Sequence, residues 1–211
     1  MSNISSSAAH NFRERQTENA NPERTPINQT TGAQNMREVV EGVKARLATV
    51  PTVRKNAVLA IEYFVGMSPE FVQEGGNVPG YFKSVEKWLK EKHGEANVIA
   101  ITQHFDETIP HIRAYVVPID EKGKLNASYF LDGRQKLSEL QTDFAEKCGK
   151  PFGLERGIEG STAKHQTVKQ YYAQIQAPTP EIKTRIPPEP EPATVKQRLA
   201  EAVGLETEHS R

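Results

Sequence analysis

Two kinds of hydrophobic spacing alternate along most of the chain, and together they predict a mixed α and β fold. Apolar residues that recur every three or four positions indicate amphipathic helices, whereas short apolar runs rich in β-branched and aromatic residues indicate strands. The predicted helices cover residues 36–47, 81–90, 133–148 and 162–176, with Ser68-Pro69 as a further helix start and Gly94 as a helix end. The predicted strands cover residues 57–65, 98–102, 112–119 and 125–130, and the first is expected to be buried because it is mostly apolar.

Both ends of the chain lack this patterning. Residues 1–9 are small and polar, and residues 10–28 are expected to form an irregular polar segment with helical character at its start. Prolines are concentrated between Pro178 and Pro192, which predicts an extended linker followed by a disordered tail. We therefore expect one domain over residues 1–177 and a Pro-rich tail over residues 178–211.

Composition narrows the class of protein. Lys plus Arg and Asp plus Glu are equal at 27 each, so no global positive field indicates a nucleic-acid partner, although an acidic tail can balance a basic face. The single cysteine, Cys148, excludes an internal disulfide and is expected to be a small buried residue near a helix end. The chain has neither an apolar run of membrane-spanning length nor a signal peptide, so we expect a cytoplasmic protein.

The most informative segment is residues 103–118. Two histidines, His104 and His111, flank the acidic pair Asp106 and Glu107 in a proline-containing turn between two predicted strands. The turn brings imidazole and carboxylate groups to one end of a sheet, and these are groups that bind divalent metals. His104, Glu107 and His111 are the candidate ligands. Asp106 is the alternative carboxylate, or it orients a ligand histidine through the second ring nitrogen.

Two further segments complete a pattern of three. One begins at His10 and continues to Asn28, and the other covers residues 153–165. In this order and at these spacings, the three segments resemble the MobV (Mob/Pre) family of plasmid mobilisation relaxases over residues 8–175. The resemblance implies an α+β fold in which a central antiparallel sheet is flanked by helices and carries the metal site on its middle strands. It also implies a relaxase that nicks one strand at an origin of transfer, stays bound to the 5′ phosphate and rejoins the ends, in mobilisation and in recombination.

The resemblance assigns roles to residues as well. His10 occupies the position of the nucleophile, whose neutral imidazole attacks phosphorus and forms a phosphoramidate. Arg13 is a candidate for orienting His10 or holding the phosphate, and a divalent metal, Mn²⁺ or Mg²⁺, is the expected Lewis acid. Arg113 is added to the expected catalytic group for its own charge, although it departs from the family pattern. The expected partners are origin DNA, single-stranded or supercoiled, and coupling or accessory mobilisation proteins. The candidate DNA contacts are Asn11, Arg15, Arg24, Asn28, Arg156, Lys164 and His165.

The chain departs from the family pattern at two places. Relatives usually have a strand before the first segment, where this chain has nine residues that do not form an apolar strand pattern. We therefore expect either a truncated start, with the first strand missing, or a sheet edge that is built differently. Arg113 stands where many relatives have a third ligand histidine, and a charged guanidinium does not bind a metal. It could contact the scissile phosphate, mark a site with two histidines, one carboxylate and more water, or mark an impaired enzyme. A DNA-binding remnant without cleavage and an unrelated metal-dependent phosphoesterase are the alternative functions.

Overall fold

The computed structural model describes residues 1–160, and its centre is a sheet of four antiparallel strands. The strands are β1 (Gln29–Gly32), β2 (Ile61–Val65), β3 (Val98–His104) and β4 (His111–Val116). Their order across the sheet is β1-β3-β4-β2, so the two strands that carry the histidines lie in the middle. The predicted α+β class and the central position of this hairpin are confirmed.

Residues 1–160 contain six α-helices, and several begin or end at the residues that the sequence indicates. They are α1 (Ser2–Asn11), α2 (Met36–Leu47), α3 (Pro69–Gln73), α4 (Val78–His93), α5 (Ala127–Leu131) and α6 (Gly133–Phe144). Ser68 caps α3 by accepting a hydrogen bond from the Phe71 N–H, and Gly94 ends α4 with a φ of 81°. A π-helical turn, Ala145–Gly149, follows α6.

One face of the sheet packs against α4. Ile101 and Ile112 are buried there together with Ala114 and Val116. Cys148, which follows α6 in the chain, is buried in the same cluster. The predicted apolar stripe of α4 is confirmed as core, since all its members are buried: Tyr81, Phe82, Val85, Trp88 and Leu89. The residues buried on this face are apolar and serve packing.

The other face is divided into an apolar end and a polar end. At the apolar end, Ala100 and Tyr115 pack against buried residues of α1 and α2, among them Ala8, Val39 and Val43. Along the same face, the next register pair is Thr102 with Arg113, and the last is His104 with His111. Because side chains alternate across a strand, these polar residues share one face with the residues that anchor α1.

Two strand predictions need correction. The run at residues 57–65 is a strand only from Ile61, and it forms an edge of the sheet where Phe64 is 62% exposed. Residues 125–130, predicted as a strand, contribute a single bridge from Leu125 to Ile119 before α5 begins. Asn126 accepts a hydrogen bond from the Tyr129 N–H, so helix capping prevails there over β propensity.

The amino-terminal third also differs from expectation. The polar residues 1–9 belong largely to α1, which is held by the burial of Ala8 against the sheet. The sheet edge beside β3 is formed by β1, a short polar strand that the sequence did not indicate. A helix therefore precedes the first segment where relatives were expected to have a strand.

The chain divides into two units, residues 1–161 and 162–211. The predicted helix over residues 162–176, the domain boundary after residue 177 and the Pro-rich tail lie outside the described residues. Within residues 1–160, none of the helices combines the length and apolar character needed to cross a bilayer.

Candidate active site

His104 and His111 face each other at the ends of the two central strands. They are register partners, and their rings stack with centroids 4.9 Å apart. Glu107 lies in the turn between the strands, and one ligand atom from each of the three residues lies within 4.8 Å of the others. The hairpin therefore brings together the three residues that the sequence indicates as metal ligands.

The His111 ring presents an unpaired nitrogen to this cluster. Its Nδ1 donates to the Ile109 carbonyl oxygen at 3.0 Å, which places the lone pair on Nε2. Nε2 is buried, has no hydrogen-bond partner among residues 1–160 and lies 3.8 Å from Glu107 Oε1. Burial lowers the pKa of His111, so the neutral imidazole is favoured. A buried lone pair without a donor is costly, and a divalent cation would satisfy it.

His104 is oriented by the end of α1. Its Nε2 donates to Asn11 Oδ1 at 2.6 Å, while Asn11 Nδ2 donates to Thr102 Oγ1 at 3.1 Å. The remaining lone pair is on Nδ1, which lies 3.0 Å from Arg13 Nη2. Burial, reinforced by the charge of Arg13, lowers the pKa of His104 to about 3, so this ring is also neutral at physiological pH.

Arg13 places a positive charge against the cluster. Its Nη2 lies 2.8 Å from Asp106 Oδ1 and 2.8 Å from Glu107 Oε1, and its Nε donates to Asp106 Oδ2 at 2.9 Å. Arg13 has a φ of 58°, in the left-handed region, which costs a residue with a side chain about 1 kcal/mol. The two-point bond to a buried carboxylate offsets that strain and ties the loop after α1 to the turn after β3.

Asp106 is an anchor for this first segment. Its side chain is fully buried, and its Oδ2 also accepts from Thr25 Oγ1 at 3.0 Å. Burial alone would raise the pKa of Asp106, but hydrogen bonds from Arg13, Asn28 and Thr25 hold it well below its usual range. Its Oδ1 is 3.5 Å from His104 Nδ1, too far to orient that ring well. Of the two candidate carboxylates, the geometry favours Glu107 as the ligand.

His10 lies in the last turn of α1, next to Asn11. Its Nδ1 is 3.4 Å from Thr17 Oγ1, at the limit of a hydrogen bond. Partial burial lowers the pKa of His10, and the positive charges of Arg113, Arg13 and Arg15 lower it further. The imidazole is therefore neutral at pH 7 and carries a lone pair that can act as a nucleophile.

Arg113 lies on the same face as His111 but pairs away from the metal cluster. Its Nη1 donates to Glu62 Oε1 at 2.7 Å, and its guanidinium lies 5.4 Å from the centre of the Phe64 ring. Ser7 of α1 donates to the same Glu62 side chain and lies 2.8 Å from the Tyr115 hydroxyl oxygen. This polar network links Arg113 to the helix that carries His10.

The network includes residues that sequence reasoning missed. Glu62 and Phe64 lie on one face of β2, and the register with β4 sets them beside Tyr115 and Arg113. The alternation of β2 is visible in the sequence and could have placed both on one face. Which strand pairs with β2 is set by the order of strands in the sheet, and local sequence does not specify that order.

The candidate DNA contacts separate into four groups. Asn11 and Asn28 are structural parts of the site, since Asn28 Oδ1 accepts the Phe105 N–H at 2.7 Å. Arg15 and Arg24 are exposed on the segment after α1. Arg156 donates to Ser138 Oγ at 2.9 Å on α6, so the structure does not bring it to the histidine cluster. Lys164 and His165 lie outside the described residues.

Comparison with known protein families gives a match over most of the chain. The profile of the Mob_Pre family, described as plasmid recombination enzyme, matches residues 1–173. A 65 kDa protein of Zymomonas mobilis is 37% identical over 196 residues, which cover 88% of this chain and 33% of that protein. A plasmid recombination enzyme of Streptococcus agalactiae is 27% identical over 180 residues, 80% of this chain and 36% of that protein. The chain thus spans about a third of the length of these relatives.

Solved structures show the same fold. The MobM relaxase domain bound to oriT DNA of plasmid pMV158, in a manganese-bound crystal, is 26% identical with a TM-score of 0.72. That comparison covers 82% of this chain and 93% of the MobM chain. A second crystal structure of the same relaxase domain, also with manganese and oriT DNA, has a TM-score of 0.71.

Proposed function

Because the chain belongs to the Mob_Pre family of plasmid recombination enzymes, we propose that it is a relaxase domain. It binds origin-of-transfer DNA in the bacterial cytoplasm, nicks one strand and later rejoins it, using His10 as the covalent carrier of the 5′ phosphate. The observation that carries this proposal is the hydrogen bond that His104 Nε2 donates to Asn11 Oδ1. It holds the end of α1, with the adjacent neutral His10, against the histidine–carboxylate cluster. Coupling or accessory mobilisation proteins would act on the same DNA.

A divalent metal fits the residues present. His111 Nε2 and a Glu107 oxygen would hold the ion, and the unpaired His111 nitrogen is the direct sign of fit. His104 Nδ1 would be the second neutral nitrogen once Arg13 Nη2, which lies 3.0 Å from it, moves aside. Such a set leaves positions for water and phosphate oxygens, which suits Mn²⁺ or Mg²⁺. The ion would supply Lewis-acid stabilisation of negative charge on the phosphate.

The chain's own residues provide the nucleophile and its placement. Since His10 Nδ1 faces Thr17, Nε2 is the nitrogen available for attack on phosphorus. The new bond joins this nitrogen to phosphorus, and the bond from phosphorus to the 3′ oxygen breaks. The ring releases its Nδ1 proton to solvent, and the 3′ oxygen takes up a proton from solvent. Rejoining reverses these changes. Asn11 holds the end of α1 against β3, and Arg13 holds the following loop, so the imidazole is positioned before DNA arrives.

The proposal is tested on a supercoiled plasmid that carries the cognate origin. In the presence of Mn²⁺ or Mg²⁺, the full chain should convert it to nicked circles and leave protein attached to the 5′ end. Binding without nicking would identify a DNA-binding remnant. Absence of DNA affinity together with turnover of a small phosphoester would identify an unrelated metal-dependent phosphoesterase. Chelation of the metal should stop nicking if the ion acts on the phosphate.

Arg113 is expected to stabilise negative charge on the phosphate and to take no part in binding the metal. Its guanidinium pairs with Glu62 and is near enough to His10 to lower that pKa, while the metal cluster is complete without it. Arg113→His should slow nicking by about 100-fold, the size of effect seen when one charge-stabilising donor is removed. The Mn²⁺ affinity, measured by titration calorimetry, should remain the same.

The matched control is Arg134→His, at an exposed position of α6. It should change neither nicking nor Mn²⁺ affinity. If Arg113→His instead tightens Mn²⁺ binding and keeps nicking, then Arg113 stands in place of a lost ligand and has no role of its own.

A further inference from the structure

Phe64 presents an exposed aromatic ring beside the catalytic cluster. The residue is 62% exposed and lies on the edge strand β2, directly opposite Arg113 in the register. Its ring centre is 4.8 Å from that of His111, with an angle of 32° between the planes, and 5.4 Å from the Arg113 guanidinium carbon. One side of the ring thus rests on two residues of the site, and the exposure leaves the other side to solvent.

Packing does not account for this position. Ile61 and Val65 of the same strand are buried, whereas Phe64 belongs to neither core cluster in the described part of the chain. Exposed aromatic side chains beside a cationic site are the usual platform on which proteins stack the bases of single-stranded DNA. The guanidinium below the ring adds to this, because Arg beside an aromatic ring strengthens the attraction for a stacked base.

A groove next to Phe64 extends the surface that single-stranded DNA could follow. The groove, of about 690 Å³, runs along β2 and is lined by Phe64, Gly66, Leu154 and Arg156, among others. Its lining thus includes both an aromatic ring and a cationic side chain, the combination found in single-strand channels. Arg156, which the histidine cluster does not include, has a place in this groove.

We propose that Phe64 stacks the nucleobase adjacent to the scissile phosphate of single-stranded DNA. The inference rests on the proposed relaxase function and deepens it, because it names a base-binding subsite beside the phosphate. Contact of the ring with His111 and Arg113 places the subsite beside the candidate metal cluster. Stacking is tolerant of base identity, so the subsite holds the strand rather than selecting a sequence.

The first measurement is the affinity for an origin oligonucleotide, by fluorescence anisotropy in chelator. Phe64→Ala should weaken binding by about 10-fold to 100-fold, the range for loss of one stacked base, and Phe64→Trp should retain it. Tyr129→Ala removes another exposed aromatic ring, on α5, and should leave binding unchanged. Because Phe64 is exposed, its substitution should leave the melting temperature close to that of the wild type.

The second measurement locates the base. An abasic residue placed at each position around the nick should weaken wild-type binding most at one position next to the scissile phosphate. Phe64→Ala should be insensitive to that same abasic residue. In Phe64→Trp, the new tryptophan should be quenched by DNA, whereas the buried Trp88 of the wild type should respond little.

The outcomes separate this inference from the proposed function. If the wild type nicks the plasmid but Phe64→Ala shows the same affinity and the same abasic profile, the stacking subsite is wrong and the relaxase stands. If the wild type neither binds nor nicks origin DNA, both are wrong.

Discussion

Replacing His10 with alanine is expected to abolish nicking and the covalent protein–DNA adduct while leaving the affinity for origin DNA nearly unchanged. His10 is the neutral imidazole held next to the metal cluster by Asn11, and removal of a nucleophile costs at least about 10⁴-fold in rate. The plasmid nicking assay gives the rate, and denaturing electrophoresis of protein bound to labelled DNA gives the adduct. The pKa of His10 is lowered from 6.5, so the imidazole stays mostly neutral down to pH 6.5. The wild-type rate should therefore stay constant between pH 7 and pH 6.5 and decline at lower pH, where the imidazole becomes protonated.

The control for this variant is Gln16→Ala, which alters an exposed side chain in the loop after α1. Its nicking rate should equal that of the wild type. Persistence of nicking and adduct in His10→Ala would mean that another residue, such as a tyrosine, is the nucleophile.

Replacing His111 with alanine is expected to remove metal binding. Its Nε2 is the buried nitrogen that lacks a hydrogen-bond partner within the described residues. The substitution should therefore remove the ligand atom that no protein group already occupies. The Mn²⁺ dissociation constant should rise by about 100-fold or more, at or above the range for loss of a supporting side chain. Nicking should then require Mn²⁺ at concentrations well above those that saturate the wild type.

Thermal unfolding provides a readout that does not depend on activity. An ion that binds only the folded state stabilises it by about 2.7 kcal/mol at 100 times its dissociation constant. Mn²⁺ should therefore raise the melting temperature of the wild type and of Thr108→Ala, a change at an exposed position of the same turn, but not that of His111→Ala. An equal rise in all three proteins would contradict the assignment of His111.

Several helices and strands could be predicted because the sequence signals that specify them lie within each segment. Helices α2 and α4 follow apolar spacing, and β3 and β4 follow short runs of β-forming residues on both sides of one turn. The caps at Ser68 and Gly94 also depend on neighbouring residues alone. The elements that were missed lack such local signals: β1 is a four-residue polar strand that exists through its pairing with β3.

The sequence by itself determined the three candidate ligands, because His104, Glu107 and His111 belong to one hairpin and are brought together by its turn. Only the tertiary structure decided which partners the two arginines near these ligands bind. Arg13 bonds Asp106 across 93 positions, and Arg113 bonds Glu62 across 51. The physical reason is that each of these partners depends on how a helix docks or on how strands are registered. Those arrangements follow from burial over the whole domain, whereas the geometry of a tight hairpin follows from the residues within it.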